Sequence, residues 1–320
     1  MFSILRPISW LGRYTGFAPY KIVQRQKTKR AEYEKVYSIT WLILQSVLLI
    51  IMCKIYSDQV STIKNKSLTV RSGWVFYTVT HLTHLTTNIF SDKIHKPKLV
   101  RLVNNLSRLE DRIKTYGVCV QYKKMRFVVP LFVLLSSTVA VLGFAGRVKH
   151  WIKFGDFSYK NFVDGISHLY AALILVAFVV HFVSFFRVFT SMIQSVNIYL
   201  EKSFLQNSDS NSRCATSGTL DMFSLFQAQT LLKVSKFHQL LNTLTKDFNE
   251  IVSVQLLALF LCDFCVQTVQ GFSAANNIFN GKTMNLVLLL FSVSISCRVF
   301  IKLIILTSSV NSYLKQVTDV

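Results

Sequence analysis

Residues 220–270 read LDMFSLFQAQTLLKVSKFHQLLNTLTKDFNEIVSVQLLALFLCDFCVQTVQ and contain neither glycine nor proline, so nothing in them forces a helix to stop. In the first half, Val234, Phe237, Leu241, Leu244, Phe248 and Ile251 recur at alternating spacings of three and four, a narrow coiled-coil-type seam. Lys233, Lys236, Lys246 and Asp247 lie off that seam. The second half, 251–272, is apolar almost all round and about 20 residues long, enough to cross ~30 Å of hydrocarbon at ~1.5 Å per residue. The stretch predicts one long helix that packs against other helices in the cytosol and then enters the bilayer.

The rest of the chain agrees with a membrane setting. Of its 320 residues, 51% are hydrophobic, and these gather in blocks long enough to span a bilayer, which excludes an ordinary soluble domain. The net charge of +21 suggests nucleic acid at first sight, but the basic residues sit between the apolar blocks, where membrane proteins keep them. No nucleic-acid partner is therefore expected; membrane lipid is.

Six spans are predicted, at about 36–56, 74–90, 127–146, 168–186, 251–272 and 284–306, forming an all-α polytopic membrane helical bundle. The fourth continues through Phe189, Met192, Val196 and Tyr199 as an amphipathic extension, and the fifth begins with the seam, so both reach into the cytosol over about 187–250. Pro130 falls in the first turn of the third span, where a missing N–H costs least. Ile4, Leu5, Ile8 and Leu11 form the apolar side of a short interfacial helix, with Trp10 and Tyr14 at headgroup level, broken after Gly16 and Pro19. Arg6 and Arg13 interrupt it, so it is not a signal peptide.

Orientation follows from counting Lys and Arg between spans. The segment 1–35 holds eight, and the connection after the second span holds ten; the connections after the first and third hold three and four. The alternation places the N-terminus in the cytosol and makes the chain one unit: a cytosolic N-terminus over 1–35, the bundle over 36–306 and a cytosolic end over 307–320. The sequon at Asn65 then lies outside and is a glycosylation candidate, whereas the one at Asn105 lies inside.

Polar residues inside spans are expensive and therefore informative. Asp263, unpaired near the middle of the fifth span, costs ~2.5–3.5 kcal/mol on insertion scales. It must face the bundle, either as a ligand or ion contact or as a hydrogen bond to a neighbouring Ser or Thr. In the second span Tyr77, Thr80, His81 and His84 form a polar stripe that must meet protein or water, as pocket lining or as interhelical glue. Tyr170, Gln267 and Gln270 join Tyr77 in the outer halves of their spans. His181 reads as a packed core residue. The Cys262/Cys265 pair has no second pair or histidine at zinc spacing, so no metal is predicted. None of the cysteines falls in an outer connection, so no disulfide is expected either. No nucleophile with a base, phosphate loop or paired carboxylates suggests an enzyme or a cofactor.

The layout is not that of a G-protein-coupled receptor: Glu110-Asp111-Arg112 follows the second span rather than ending the third. It resembles the insect gustatory receptors. The opening 5–20, Leu-Arg-Pro-Ile-Ser-Trp-Leu-Gly-Arg-Tyr-Thr-Gly-Phe-Ala-Pro-Tyr, is similar to that family's N-terminal stretch, in which a basic or aromatic run leads to a Gly and then a Pro. Residues 240–255, with Asn249 just before the apolar run, look like its fifth helix. The family's Thr-Tyr…Gln-Phe signature, on a seventh helix, is not found before Val320, so this chain is expected to lack that helix.

The resemblance implies a taste receptor: a ligand-gated cation channel subunit of the plasma membrane, in the dendrite, axon and cell body of sensory neurons. It implies homo- or hetero-tetramers around a pore lined by seventh helices, and a small-molecule tastant bound among the helices on the outer side. Tyr77, His81, Tyr170, Asp263, Gln267 and Gln270 become ligand-binding candidates on that basis. The seam Val234, Phe237, Leu241, Leu244 and Phe248 becomes a candidate oligomer anchor. A non-channel chemoreceptor and a truncated, non-conducting family member are the rival readings.

Overall fold

The computed structural model describes residues 2–15, 20–25, 28–63, 68–115, 117–120, 122, 125–155, 158–211, 217–279 and 286–318. The elements are α1 (Phe2–Tyr14), β1 (Tyr20–Arg25), β2 (Thr28–Tyr33), α2 (Lys35–Ile63), α3 (Leu68–Thr115), α4 (Met125–Phe154), α5 (Tyr159–Asn211), α6 (Ser217–Phe279) and α7 (Leu286–Thr318). The first five expected spans fall within α2 to α6; the sixth overlaps α7 from Leu286, its first two residues lying outside the described ones. Among the described residues, three helices are long and apolar enough to cross a membrane, at Lys35–Val60, Tyr159–Lys202 and Ala228–Cys265.

Those three differ in position. The most apolar stretch of α5 is 67% buried inside the protein and that of α2 only 17%, so α5 is the central helix and α2 a peripheral one. Ile39, Ile43, Leu44, Val47 and Ile50 of α2 are accordingly exposed, the pattern of a lipid-facing surface. α5 touches α1, α2, α3, α4, α6 and α7.

The predicted long helix of 220–270 is present and runs further at both ends, over Ser217–Phe279. The connection after the second span differs from its reading as a charged loop. α3 runs unbroken from Leu68 through Pro97 to Thr115. Leu99, Leu102, Val103, Leu106, Leu109 and Ile113 recur at three- and four-residue intervals and are all buried, so the charges of this segment occupy the other face of an amphipathic helix. α6 makes its most extensive contact with α3, and Lys98 Nζ reaches Glu250 Oε1 at 3.0 Å across it. At the end of α3, Glu110 is buried and pairs with Lys114 at 3.1 Å. The Tyr122 phenol nearby is pushed far above its usual range, first by burial and then by the Glu110 charge.

Two further differences are local. The all-α expectation misses a hairpin in which Tyr20 pairs with Tyr33 and Ile22 with Ala31. Alternation puts Tyr20 and Ala31 into the core, and Asn104 of α3 satisfies the β2 edge. Its Oδ1 accepts from Ala31 N at 2.8 Å and its Nδ2 donates to Ala31 O at 3.0 Å. Pro130 lies beyond the first turn of α4, because that helix already starts at Met125; the carbonyl of Arg126 thereby loses its helical donor. α1 is amphipathic as expected, but Leu5 and Ile8 are fully buried in the protein core, leaving Trp10 and Tyr14 outside.

The tightest part of the core is aromatic. The Phe248 ring of α6 lies 4.9 Å from that of Phe185, 5.7 Å from Phe186, 5.9 Å from Phe182 and 6.0 Å from Phe189, all on α5. Tyr313 of α7 closes the group at 5.7 Å from Phe186. Phe248→Ala should lower stability by about 3–5 kcal/mol, as for a fully buried phenylalanine. Phe264→Ala, at a site 70% exposed on the bundle exterior, should cost far less. Thermal melting of the two variants in one detergent checks the order.

Candidate functional site

Two polar groups interrupt the apolar interior. The first joins α6 to α7. Asp263 follows the buried Cys262 and Leu259 on the inward face of α6, and Lys302 lies between Val299 and Leu306 on the inward face of α7. Lys302 Nζ stands 2.7 Å from Asp263 Oδ1 and 2.5 Å from Oδ2, and the two side chains are 8% and 11% exposed. The aspartate therefore has a cationic partner, which neither expected role for it had named. Neither charge is stable alone in so apolar a place, but as a close pair each neutralises the other.

The second group ties α1, α2 and α5 together. Tyr170 Oη donates to the Thr15 carbonyl at 3.0 Å, and Gln45 Nε2 donates to Tyr170 Oη at 2.7 Å. The Trp41 ring stacks on Tyr170 at 5.8 Å with 5° between the planes. The anchoring continues outward: Tyr37 Oη donates to Arg13 O at 2.8 Å, and Arg13 pairs with Glu34 at 2.7 Å. Gln45 is fully buried, and its Oε1 has no hydrogen-bond partner among the described residues. Tyr170 thus stands level with Gln45, near the middle of α2.

The expected site residues fall in separate places. Tyr77 and His81 occupy the first half of α3, one helical turn apart, and Gln267 and Gln270 continue α6 beyond Asp263. Tyr170 draws its partners from α1 and α2, whereas Asp263 draws its partner from α7, so these two belong to different clusters. Asn65 lies outside the described residues. His181 is buried, with Nδ1 2.7 Å from Ala177 O.

The seam is covered within the single chain. Val234, Leu241, Leu244 and Phe248 are buried and Phe237 packs beside them, in one core with Leu102, Leu106 and Leu109 of α3 and Phe185 and Phe189 of α5.

Sequence reasoning missed Lys302, Gln45 and Trp41. Gln45 carried a usable signal, being the one amide in the apolar run 41–52. Lys302 carried one too: a lysine in one apolar helix and an aspartate in another are each costly alone, which favours their pairing.

Lys302→Met leaves Asp263 buried without its partner and should destabilise the protein by ~3–5 kcal/mol. Combining it with Asp263→Asn removes both charges and should recover most of that loss. Melting of the wild type, both single variants and the double variant measures the coupling; additive losses would show that the pair contributes nothing jointly.

The sequence model described as 7tm Chemosensory receptor matches residues 5–319, from α1 through α7. No individually curated protein matches the chain. The matched region takes in both polar clusters and the seam, in keeping with the resemblance to insect gustatory receptors, and the chain belongs to the 7tm chemosensory receptor family.

Proposed function

We propose that this chain is a taste-receptor subunit: part of a ligand-gated cation channel that detects a small-molecule tastant in the plasma membrane of sensory neurons. Membership of the chemosensory family supports a receptor role. The observation that carries the mechanism is the Asp263–Lys302 pair. It couples α6, which bears the candidate ligand residues Asp263, Gln267 and Gln270, to α7, the last helix described. A ligand that shifts α6 must carry α7 with it or break the pair, and either outcome transmits binding toward a pore. Tyr170, tied to α1 and α2, and Tyr77 and His81 on α3 are the remaining contact candidates. The chain assembles into homo- or hetero-tetramers; the seam is largely covered by α3 and α5 and leaves the half-buried Phe237 as its candidate anchor.

We place the N-terminus in the cytosol, with six spans. Besides the alternation of basic residues, the packing of α3 supports this orientation. Its half carrying Leu99–Ile113 lies against the seam of α6, so both belong on one side of the membrane, and both are rich in Lys or Arg. At the other end of the bundle, Lys160 meets Asp58 at 3.1 Å and Tyr56 Oη meets Asp164 at 3.3 Å, contacts that this orientation would put at the outer ends of α2 and α5.

An N-terminal tag should stay hidden from antibody in intact cells and become accessible after permeabilisation; surface staining would reverse the orientation. In cells expressing the chain with other family subunits, at least one compound of a broad tastant panel should evoke a cation current. Asp263→Asn, expressed at equal surface level, should weaken it. Silence across the panel from a receptor present at the surface would contradict the channel role.

A further inference from the structure

The cluster that ties α1, α2 and α5 together leaves one polar atom unused. Gln45 Nε2 carries two donor hydrogens and both are placed, one on Tyr170 Oη at 2.7 Å and the other, over a long contact, on Thr15 O at 3.5 Å. Tyr170 Oη gives its single hydrogen to Thr15 O at 3.0 Å. The Thr15 carbonyl thus accepts twice, its full capacity. Gln45 Oε1 remains, an acceptor without a donor among the described residues, on a side chain with no exposure at all. One lone pair of Tyr170 Oη remains beside it.

Exchanging the amide oxygen and nitrogen does not remove the shortfall. The oxygen would then face the Thr15 carbonyl with only the Tyr170 hydrogen to share between them, and two N–H donors would be stranded in place of one acceptor.

The neighbouring hydroxyls are committed elsewhere. Thr15 Oγ1 donates within α1, to Leu11 O at 2.9 Å. Ser167, fully buried one turn before Tyr170, donates to Asp164 O at 2.8 Å. Tyr37 Oη donates to Arg13 O at 2.8 Å, and the Arg13 guanidinium pairs with Glu34. A buried amide oxygen is costly to leave without a donor, so the cluster calls for one from outside the chain.

We propose that the cluster binds one water molecule, which donates to Gln45 Oε1 and to the remaining lone pair of Tyr170 Oη. Gln45 Nε2 touches Tyr170 Oη, so Oε1 stands one amide group away from that same oxygen, a span a single water bridges. A consequence for the ligand rests on the proposed function, in which Tyr170 is a contact. A ligand that reaches Tyr170 displaces the water and must bring a donor of its own, or Oε1 is stranded. With Arg13 and Glu34 already neutralising each other, the cluster selects a neutral hydroxyl or N–H group over an ether or a hydrocarbon.

Hydroxyl-radical footprinting tests the water directly. The full chain in lipid nanodiscs receives millisecond X-ray pulses, which make radicals from water in place, and oxidation is read residue by residue by mass spectrometry. Gln45→Leu, which offers no acceptor, should lower oxidation of Tyr170 about threefold or more. Tyr313, whose hydroxyl lies beside Thr245 Oγ1, should not change. Gln45→Met, unbranched and of similar length, serves the same purpose if the leucine variant does not fold. After rapid mixing with water labelled with oxygen-18, the label should reach Tyr170 later than Tyr14, which is 63% exposed. Oxidation of Tyr170 that ignores both Gln45 variants, or that takes up label as fast as Tyr14, would overturn the water site. For any compound of the tastant panel that evokes a current, methylating its hydroxyl or N–H should cost about tenfold or more in potency in the wild type and little in Gln45→Leu. Unchanged potency in the wild type would overturn the donor requirement. Silence of the channel would count against the proposed function instead, and the footprinting result would still decide the site.

Discussion

A phenylalanine on α6 governs how the helices meet where the apolar spans pass into their amphipathic extensions. Phe248 is enclosed by four phenylalanines of α5, and Tyr313 of α7 packs on two of them. Offset and edge-on rings pack densely without a polar group to satisfy, so the contact is both strong and specific in shape. It also sets the register of the seam: with Phe248 seated, Leu244 and Leu241 fall against the buried row of α3. The Tyr313 hydroxyl adds direction, lying 3.0 Å from Thr245 Oγ1.

Further along α6, the same two helices meet again through opposite charges. The Asp263–Lys302 pair contributes little net stability, because withdrawing both ions from water offsets most of their attraction. What it supplies is selectivity. Sliding or rotating α7 past α6 separates the charges in a medium that cannot solvate them, so only arrangements that keep them together, or admit water or ligand, are accessible. α6 and α7 are therefore held at two heights, by shape at Phe248 and by charge at Asp263. A receptor needs such an element: firm in one arrangement, yet open to another once a ligand or water replaces the missing partner.

Much of this was legible in the sequence, and the failures have physical causes. The seam of α6 and the extension of α5 were visible because their apolar residues repeat at helical spacing without interruption. The row Leu99 to Ile113 repeats in the same way, but it lies among ten basic residues and follows Pro97, and charge counting treated it as connection. Only one face of an amphipathic helix has to be apolar, so a high overall charge does not exclude burial. The hairpin was hidden because its strands, KIVQR and TKRAE at their centres, lack strong alternation, and the β2 edge is completed by Asn104, far away in the chain. Asp263 was recognisable as a costly residue. Its partner Lys302 was legible only as a second costly charge, because pairing across helices leaves no local spacing that joins the two. The partners of Tyr170 were hidden for the same reason: Gln45 and the end of α1 are segments distant from it in the chain.

The central claim, that the Asp263–Lys302 pair fixes α7 against α6, is tested most directly by measuring the distance between these helices. Spin labels at Phe264 and Phe300, both exposed on the bundle exterior, report it when the six native cysteines have been replaced. Pulsed electron paramagnetic resonance on the full chain in lipid nanodiscs should give one narrow distance distribution. Lys302→Met should broaden or shift that distribution. A distribution unchanged by Lys302→Met would contradict the account, because α7 would then be held in place without the pair.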